Sequence, residues 1–71
     1  MSKLIRSQGV TYEGIKIRDN CWIGAGTVFL SRAELGSGCI VGANSVVTKK
    51  FPNNVVIAGV PAKMIKNRDG I

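Results

Sequence analysis

The sequence predicts an all-β protein in which short parallel strands wind in stacked coils, and three observations predict this fold class. Large apolar residues recur at every sixth position of a long stretch, and they are Ile17, Ile23, Phe29, Leu35, Val41 and Val47. A second series of the same period is small until its last member, and it comprises Cys21, Thr27, Ala33, Cys39, Ser45 and Phe51. The hexads IGAGTV at 23–28 and VGANSV at 41–46 lie eighteen residues apart.

A period of six is typical of neither helices nor ordinary hairpins. Helices place apolar residues three and four apart, and half-buried strands alternate by two. Short strands joined by tight corners fit the period, because each strand directs one large side chain inward and glycine permits the backbone to turn. Three such sides make a coil of eighteen residues, as in a β-helix. The alternative, a small antiparallel domain, would require hairpin turns such as Asn-Gly or Asp-Gly between its strands. The sole Asp-Gly is at 69–70, at the very end of the sequence.

The elements follow in order along a single domain, residues 1–71. A partial coil is expected at 8–16, followed by two clear coils at 17–34 and 35–52, so that the β-helix spans 8–52. Residues 53–71 are expected to form a C-terminal cap and tail, in which AKMIKNR at 62–68 forms a loop or a short amphipathic helix. No comparable lid is expected at the top. Because each coil contacts only its neighbours, so short a stack is marginal alone and is expected to associate.

Cysteine and histidine content limits the chemistry. The chain contains no histidine and only two cysteines, so a structural zinc site is not expected. Stacked coils lie about 4.8 Å apart, which places Cys21 and Cys39 one above the other in the core as free thiols that pack as small apolar side chains. The start MSKLIRS has no long apolar stretch behind it, so neither a secretory signal nor membrane insertion is expected, and the cytoplasm is the default compartment.

The net charge of +6 is unevenly distributed. One stretch without an acid before Asp69 contains five cations, namely Lys49, Lys50, Lys63, Lys66 and Arg68. Such a stretch forms a solvated face, a nucleic-acid patch or a cradle for a phosphorylated small molecule, and composition alone favours the solvated face. A nucleic-acid partner is disfavoured because the aromatic residues are scattered and form no stacking platform.

Two long motifs, IKIRDNCWIGAGTV and LGSGCIVGANSVVTKKFPNNVVIAGVPAKMIK, resemble the C-terminal part of the hexapeptide-repeat acyltransferases. The resemblance spans residues 8–68 and is to the galactoside, maltose and serine O-acetyltransferase-like enzymes and to sugar O-acetyltransferases of polysaccharide synthesis. It implies a left-handed parallel β-helix and a homotrimer, with acetyl-coenzyme A in grooves between neighbouring helices. In this family an acceptor hydroxyl or amine attacks the thioester, and a histidine acts as general base.

The resemblance also implies which residues line the groove for coenzyme A. Ala25 and Ala43 match positions whose backbone lines the pantetheine groove, where a small side chain permits close approach, although the fold itself also requires small residues there. Thr48 and Lys49 match a Thr-Lys pair that meets the nucleotide end of the cofactor.

Three further positions match the family pattern. Lys63 and Lys66 match basic residues that face the phosphates, which suit ammonium groups as point charges. Trp22 resembles a tryptophan near the thioester and acceptor, and the alternative is that it packs against a neighbouring subunit. The remaining cations of the basic stretch, Lys50 and Arg68, are expected to be solvated.

The general base is the feature of the family that this chain lacks. The family's histidine lies upstream of the segment that QGVTYEGIKI resembles, and the chain contains none. Its only glutamates, Glu13 and Glu34, have no spacing that recommends them for this role. We therefore expect a truncated form, the C-terminal coenzyme A-binding portion of an acetyltransferase, with no catalytic residue of its own and no transfer activity alone. The acceptor is not identified. The alternative is a non-catalytic β-helix module for oligomerisation or binding.

Overall fold

A computed structural model describes residues 4–12 and 14–68, with side chains from residue 14 onward, and all elements in this part of the chain are β-strands. The strands are β1 (Leu4–Tyr12), β2 (Ile15–Gly24), β3 (Val28–Phe29), β4 (Glu34–Leu35), β5 (Ile40–Val41), β6 (Val46–Val47), β7 (Lys50–Phe51), β8 (Val55–Gly59) and β9 (Ala62–Asn67). None of the described residues lies in a helix with the length and apolarity needed to cross a membrane.

The strands stack into three faces, each built from parallel pairs. Face A pairs β2 with β4 and β4 with β7, face B pairs β2 with β5 and β5 with β8, and face C pairs β3 with β6. β2 serves two faces because its ten residues pass through a corner. Residues eighteen apart are vertical neighbours in the upper coils, as Ile17 is to Leu35 and Val28 to Val46. The predicted parallel β-helix is confirmed.

The two series of period six form the core. The fully buried members of the apolar series are Leu35, Val41 and Val47, while Ile17 is nearly so. Ile23 and Phe29 are partly buried and pack against them. The small series fills the corners, where Cys21, Ala33, Cys39 and Ser45 are each 0% exposed. Large side chains thus fill the middle of each rung, and small ones occupy the places where the backbone bends inward.

The corners have their own period of six, which the side-chain series did not reveal. A residue with positive φ occurs at each of them, at Gly14, Asn20, Gly26, Arg32, Gly38 and Asn44. This left-handed region disfavours most side chains, and glycine and asparagine adopt it most readily. Vertical neighbours are also packed closely here, because a Cβ on Gly26 would collide with the amide oxygen of Asn44, and one on Gly38 with that of Asn54.

The lowest coil is two residues shorter than those above it. Leu35 pairs with Phe51 and Val41 with Ile57, a step of sixteen residues instead of eighteen. Phe51 therefore lies below Leu35 in an apolar column, which explains why it ends the small series in the sequence. β8, beyond residue 52, continues face B as a further parallel strand.

The top of the solenoid is covered, contrary to the expectation of a partial coil at 8–16 and an open end. β1 runs antiparallel to β2 along almost its whole length, from Leu4 opposite Gly24 to Tyr12 opposite Ile15. A bulge between Arg6 and Gln8 carries it past the corner of β2. The reason is that an edge of unpaired N–H and C=O groups needs partners, and an antiparallel strand can supply them over two faces without completing a coil.

The bottom is closed by a strand, and the alternative of a short helix at 62–68 is wrong. β9 pairs antiparallel with β8, from Gly59 opposite Ala62 to Val55 opposite Asn67. The exposed edge of β8 provides hydrogen bonds that an isolated helix of one or two turns could not replace, since such helices are marginal in water.

Arg68 is exposed, as expected for a solvated residue, and it also anchors β9. Its backbone N–H donates to Asn54 O at 2.7 Å, and its Nη1 donates to Gly38 O at 3.0 Å. The guanidinium therefore ties the end of the cap to a corner one coil above.

Gly38→Ala and Gly14→Ala form a matched pair that tests the corner packing. Both positions have similar positive φ, but a Cβ on Gly14 has its nearest neighbour at 3.7 Å, whereas one on Gly38 collides with Asn54. We expect Gly14→Ala to lower the free energy of unfolding by about 1 kcal/mol, from backbone strain alone. Gly38→Ala should lower it by about 2–4 kcal/mol, since overpacking adds to the strain. Urea unfolding measures both.

The steric part of this loss has its own control. Asn54→Gly removes the colliding amide and keeps a residue that tolerates positive φ, so it should recover part of the stability in the Gly38→Ala background and none in the Gly14→Ala background. Equal losses for the two alanine variants would contradict the packing described for this corner.

Candidate functional site

Face C has two described parallel strands, β3 and β6, whereas the other faces have three, and two exposed corners flank it. Its outward side chains are Val28, which is 50% exposed, and Val46 below it. One flank, which we call the alanine corner, comprises residues 24–27 and 42–45. The other, the lysine corner, comprises residues 30–33 and 48–49. Four of the predicted site residues lie in these corners.

The alanine corner presents main-chain groups to solvent. Ala25 and Ala43 are exposed and lie one rung apart, at a rung spacing of about 4.8 Å. Within the described part of the chain, neither alanine N–H donates a backbone hydrogen bond, whereas Ala25 O accepts one from Asn44 N at 2.9 Å. Among the described residues, both alanine N–H groups are therefore without a backbone acceptor, at a corner where the exposed side chains of Ala25, Ala43 and Asn44 are short.

Small residues and hydroxyl groups fix the alanine corner. A Cβ on Gly24 would lie 2.5 Å from Ala43 N, so only glycine allows the two rungs to approach there. Thr27 Oγ1 donates to Gly24 O at 2.8 Å, and Ser45 Oγ repeats this contact with Gly42 O at 2.7 Å. The main chain around the free amide groups is consequently held in one conformation.

The lysine corner contains the shortened step of the coil. Leu30 N donates to Val47 O at 3.0 Å, and Glu34 N donates to Lys49 O at 3.2 Å. Thr48 alone lies between the two lower acceptors and is exposed. Lys49 Nζ lies 5.5 Å from the centroid of the Phe51 ring, within the range of a cation–π contact. The ring thus holds an exposed ammonium group beside the corner.

The remaining predicted residues lie on face B and its cap. Trp22 is half-buried and heads the outward column that continues through Ile40 and Val56 to Lys66 on β9. Three rungs separate Trp22 from Lys66, or about 14 Å at the usual strand spacing. Lys63 pairs with Ala58, which lies directly below Gly42 of the alanine corner.

A single chain does not bring all the predicted site residues together. Ala25, Ala43 and Lys63 share one side of face C, while Thr48 and Lys49 lie on the other. Trp22 and Lys66 occupy opposite ends of face B. A small compact ligand could not touch all of them, whereas a long ligand or one held between two chains could.

The two thiols are structural. Cys21 and Cys39 form no disulfide and are completely buried, as expected, and their Sγ atoms donate to Gly36 O and Pro52 O, each at 3.1 Å. The hydrogen bond with Cys21 and then burial raise the pKa of the Cys39 thiol far above its usual range. A nucleophilic cysteine is a thiolate in an accessible site, and neither of these thiols is accessible.

The described carboxylates point away from face C. Glu34 lies on face A between Lys16 and Lys50, and Asp19 lies in the corner between faces A and B. Glu13 falls outside the described residues. Among residues 14–68, therefore, no carboxylate is placed between the alanine and lysine corners to act as a general base.

Comparison with known proteins identifies the repeat. The sequence pattern described as bacterial transferase hexapeptide (six repeats) matches residues 14–49. Galactoside O-acetyltransferase of Lactococcus lactis is 38% identical over 65 residues, covering 90% of this chain and 31% of that protein. The chain spans less than a third of the length of the curated relatives it matches.

Solved structures match at the level of fold and sequence together. A galactoside acetyltransferase in complex with coenzyme A superposes with a TM-score of 0.74 at 42% identity, over 76% of this chain and 27% of the other. A hexapeptide-repeat acetyltransferase from Vibrio cholerae, complexed with acetyl-coenzyme A, superposes with a TM-score of 0.73 at 34% identity, over 75% of this chain and 29% of the other. The predicted left-handed β-helix is confirmed.

The raised pKa of Cys39 predicts inert thiols and a pH-dependent stability. In the unfolded chain a thiol ionises near pH 8.5, so the folded state, which holds its proton, should lose stability as the pH rises above about 8.5. Labelling by an aromatic disulfide reagent at pH 8.5 should be about 100-fold slower or more in the native protein than in urea.

Replacing both cysteines by serine provides the control for the pH effect. The serine hydroxyls keep a donor for Gly36 O and Pro52 O but do not titrate, so the loss of stability above pH 8.5 should disappear. Thiols that label equally fast in native and unfolded protein would contradict the burial described for them.

Proposed function

We infer the function of this chain from its family, because it belongs to the hexapeptide-repeat family of acetyl-coenzyme A-dependent O-acetyltransferases. We propose that these residues supply the coenzyme A-binding coils of such an enzyme, one that acetylates a sugar or another small hydroxyl compound. The observation that carries the proposal is the alanine corner, where two free amide donors lie one rung apart on a surface without bulky side chains.

The alanine corner fits the pantetheine arm of coenzyme A. This arm is long and thin and carries amide groups whose carbonyl oxygens accept hydrogen bonds. The N–H groups of Ala25 and Ala43 are available donors, and their methyl groups permit close approach to the main chain. A larger side chain at either position would hold the arm away from these donors.

The exposed lysines fit the phosphates at the nucleotide end. Lys49 next to Thr48 provides a charge and a hydroxyl at the lysine corner, and Lys63 and Lys66 provide two more charges along β9. Ammonium groups bind phosphate as point charges, and hydrogen bonds between charged groups are stronger than neutral ones.

A homotrimer would complete the site. The predicted residues lie on both sides of face C and are too dispersed for one chain to enclose a ligand, while Val28 on that face is 50% exposed and Val46 below it is half-buried. A neighbouring chain covering face C would bury these valines and form a groove with the alanine corner as one wall. Closed cyclic symmetry is the usual form of such assemblies.

Trp22, at the upper end of face B, would lie toward the acceptor. We place the protein in the cytoplasm, where its thiols stay reduced.

Coenzyme A delivers the acetyl group as a thioester, and the proton of the acceptor hydroxyl must then pass to a general base. These 71 residues contain no histidine, the thiols are buried, and the described carboxylates face elsewhere. We propose that they hold and orient the cofactor but do not activate an acceptor, so that the 71-residue chain alone transfers no acetyl group.

Lys49→Ala and Lys50→Ala together test cofactor binding by titration calorimetry. Both variants remove one lysine from adjacent positions, but Lys50 projects from face A beside Glu34, away from the proposed groove. We expect coenzyme A to bind the wild-type chain, Lys49→Ala to weaken it about fivefold or more, and Lys50→Ala to change it less than about twofold. No binding at millimolar ligand would favour the alternative, a non-catalytic β-helix module.

Val28→Asp tests the proposed assembly. Light scattering of the wild-type chain should give the mass of a trimer at micromolar concentration. A buried carboxylate on face C should shift the mass toward the monomer, because an unpaired charge is costly to remove from water. Ile65→Asp is the control, since Ile65 is 61% exposed on β9 and lies outside face C. A monomeric wild-type chain would contradict the assembly.

Release of free coenzyme A tests the absence of turnover. With acetyl-coenzyme A and a panel of sugar acceptors, the 71-residue chain should release thiol at the rate of the uncatalysed control. Acceptor-dependent release above that rate would mean that another group in the chain acts as the base.

A further inference from the structure

One corner of the solenoid departs from the rule that the others follow. Ala33 N donates to Leu30 O at 3.0 Å, which closes a four-residue turn whose third residue, Arg32, has a φ of 73°. At the other corners of the period, the residue with positive φ is glycine or asparagine. Arginine has no local side-chain hydrogen bond that would favour this conformation, in contrast to asparagine. A strained residue of this kind is retained where the rest of the structure holds it, and such residues concentrate at functional sites.

Arg32 lies directly above the shortened corner. Between the donors Leu30 and Glu34 the upper turn has three residues, whereas between their acceptors Val47 and Lys49 the lower turn has only Thr48. The upper turn therefore extends outward beyond the lower one. Arg32 occupies its tip, over the main chain of Thr48 and Lys49.

The Arg32 side chain has no polar contact with residues 14–68 that would hold its guanidinium group. It is exposed, and no hydrogen bond or ion pair to it occurs among the described residues. Lys49 belongs to the next rung of the same corner and is also exposed, with its ammonium group over the Phe51 ring. Glu34, the only described carboxylate near this corner, belongs to the outward column of face A with Lys16 and Lys50. Two cations at one corner repel each other unless an anion lies between them.

We propose that Arg32 binds a phosphate group of coenzyme A at the lysine corner, together with Thr48 and Lys49. The proposal rests on the proposed function, and it adds a residue that the resemblance to the family did not indicate. A guanidinium group binds phosphate through two parallel N–H···O hydrogen bonds, whereas an ammonium group acts as a point charge. The two-residue difference between the turns leaves the room below Arg32 in which a phosphate would lie.

Two substitutions of Arg32 separate binding from structure. Arg32→Gln removes the charge and keeps a side chain with the same backbone strain, so coenzyme A affinity should fall about fivefold or more with little change in the unfolding midpoint. Arg32→Gly removes the charge and the strain, so the affinity should fall by a similar factor while the unfolding midpoint rises. If Arg32 had only a structural role, the more stable Arg32→Gly variant would bind coenzyme A as tightly as the wild-type chain.

Lys16→Gln is the matched control for charge. It lowers the net charge by the same amount from an outward position of face A, and it should change coenzyme A affinity less than about twofold. Titration with dephospho-coenzyme A, which lacks the 3′-phosphate, identifies the phosphate involved. If Arg32 binds that group, Arg32→Gln should weaken coenzyme A but leave dephospho-coenzyme A unchanged, and if it binds the pyrophosphate, both should weaken equally.

The outcomes distinguish this inference from the proposed function. Affinity that falls in Lys49→Ala but stays within twofold of wild type in Arg32→Gln would overturn the role of Arg32 and leave cofactor binding intact. Affinity that falls equally in Arg32→Gln and Lys16→Gln would also overturn it, because net charge would then be the cause. No binding of coenzyme A by the wild-type chain would overturn both.

Discussion

The distance between successive rungs governs this structure. Parallel strands stack at a fixed separation of about 4.8 Å, and the corners must approach as closely as the strands do. At Gly24 and Gly36 the backbone of the next rung lies so near that a Cβ would come within 2.6 Å of a main-chain nitrogen. The same spacing also requires three sharp corners in each rung, and this explains the positive φ values at every sixth residue. Large side chains are admitted only in the middle of each face, where they fill the core.

The same constraint explains the chemistry of the surface. A corner of small residues in tight turns does not bond all its amide groups to the rungs above and below, and among the described residues the N–H groups of Ala25 and Ala43 have no backbone acceptor. The fold therefore produces a row of main-chain donors as a by-product of turning. The exposed lysines lie elsewhere, with Lys49 at the lysine corner across face C and Lys63 and Lys66 on β9.

The sequence predicted the repeat well because the repeat is local. The apolar residues from Ile17 to Val47 and the small ones from Cys21 to Ser45 each report the inside of a rung, so their spacing determines the coil. The spacing could not predict the structure at the two ends of the stack. β1 and β9 are strands because they pair with the exposed edges of β2 and β8. The sequences of β1 and β9 themselves do not reveal that these edges need a partner. The only sign of the shortened coil in the sequence was the large side chain of Phe51, which ends a series of otherwise small residues. Arg68 was assigned to solvent because its acceptor, Gly38 O, is thirty residues away in the sequence. The period of left-handed corners was available in the sequence as alternating Gly and Asn, and it would have drawn attention to Arg32.

The first and last strands both run antiparallel to the strands they cover. A solenoid of parallel strands is a template at each end, and a second copy could in principle add to it without limit, as in a cross-β fibre. Reversing the direction of the terminal strand changes the hydrogen-bonding pattern that an incoming parallel coil would have to match. The polarity of β1 and β9 therefore disfavours the direct pairing of another parallel coil with either strand.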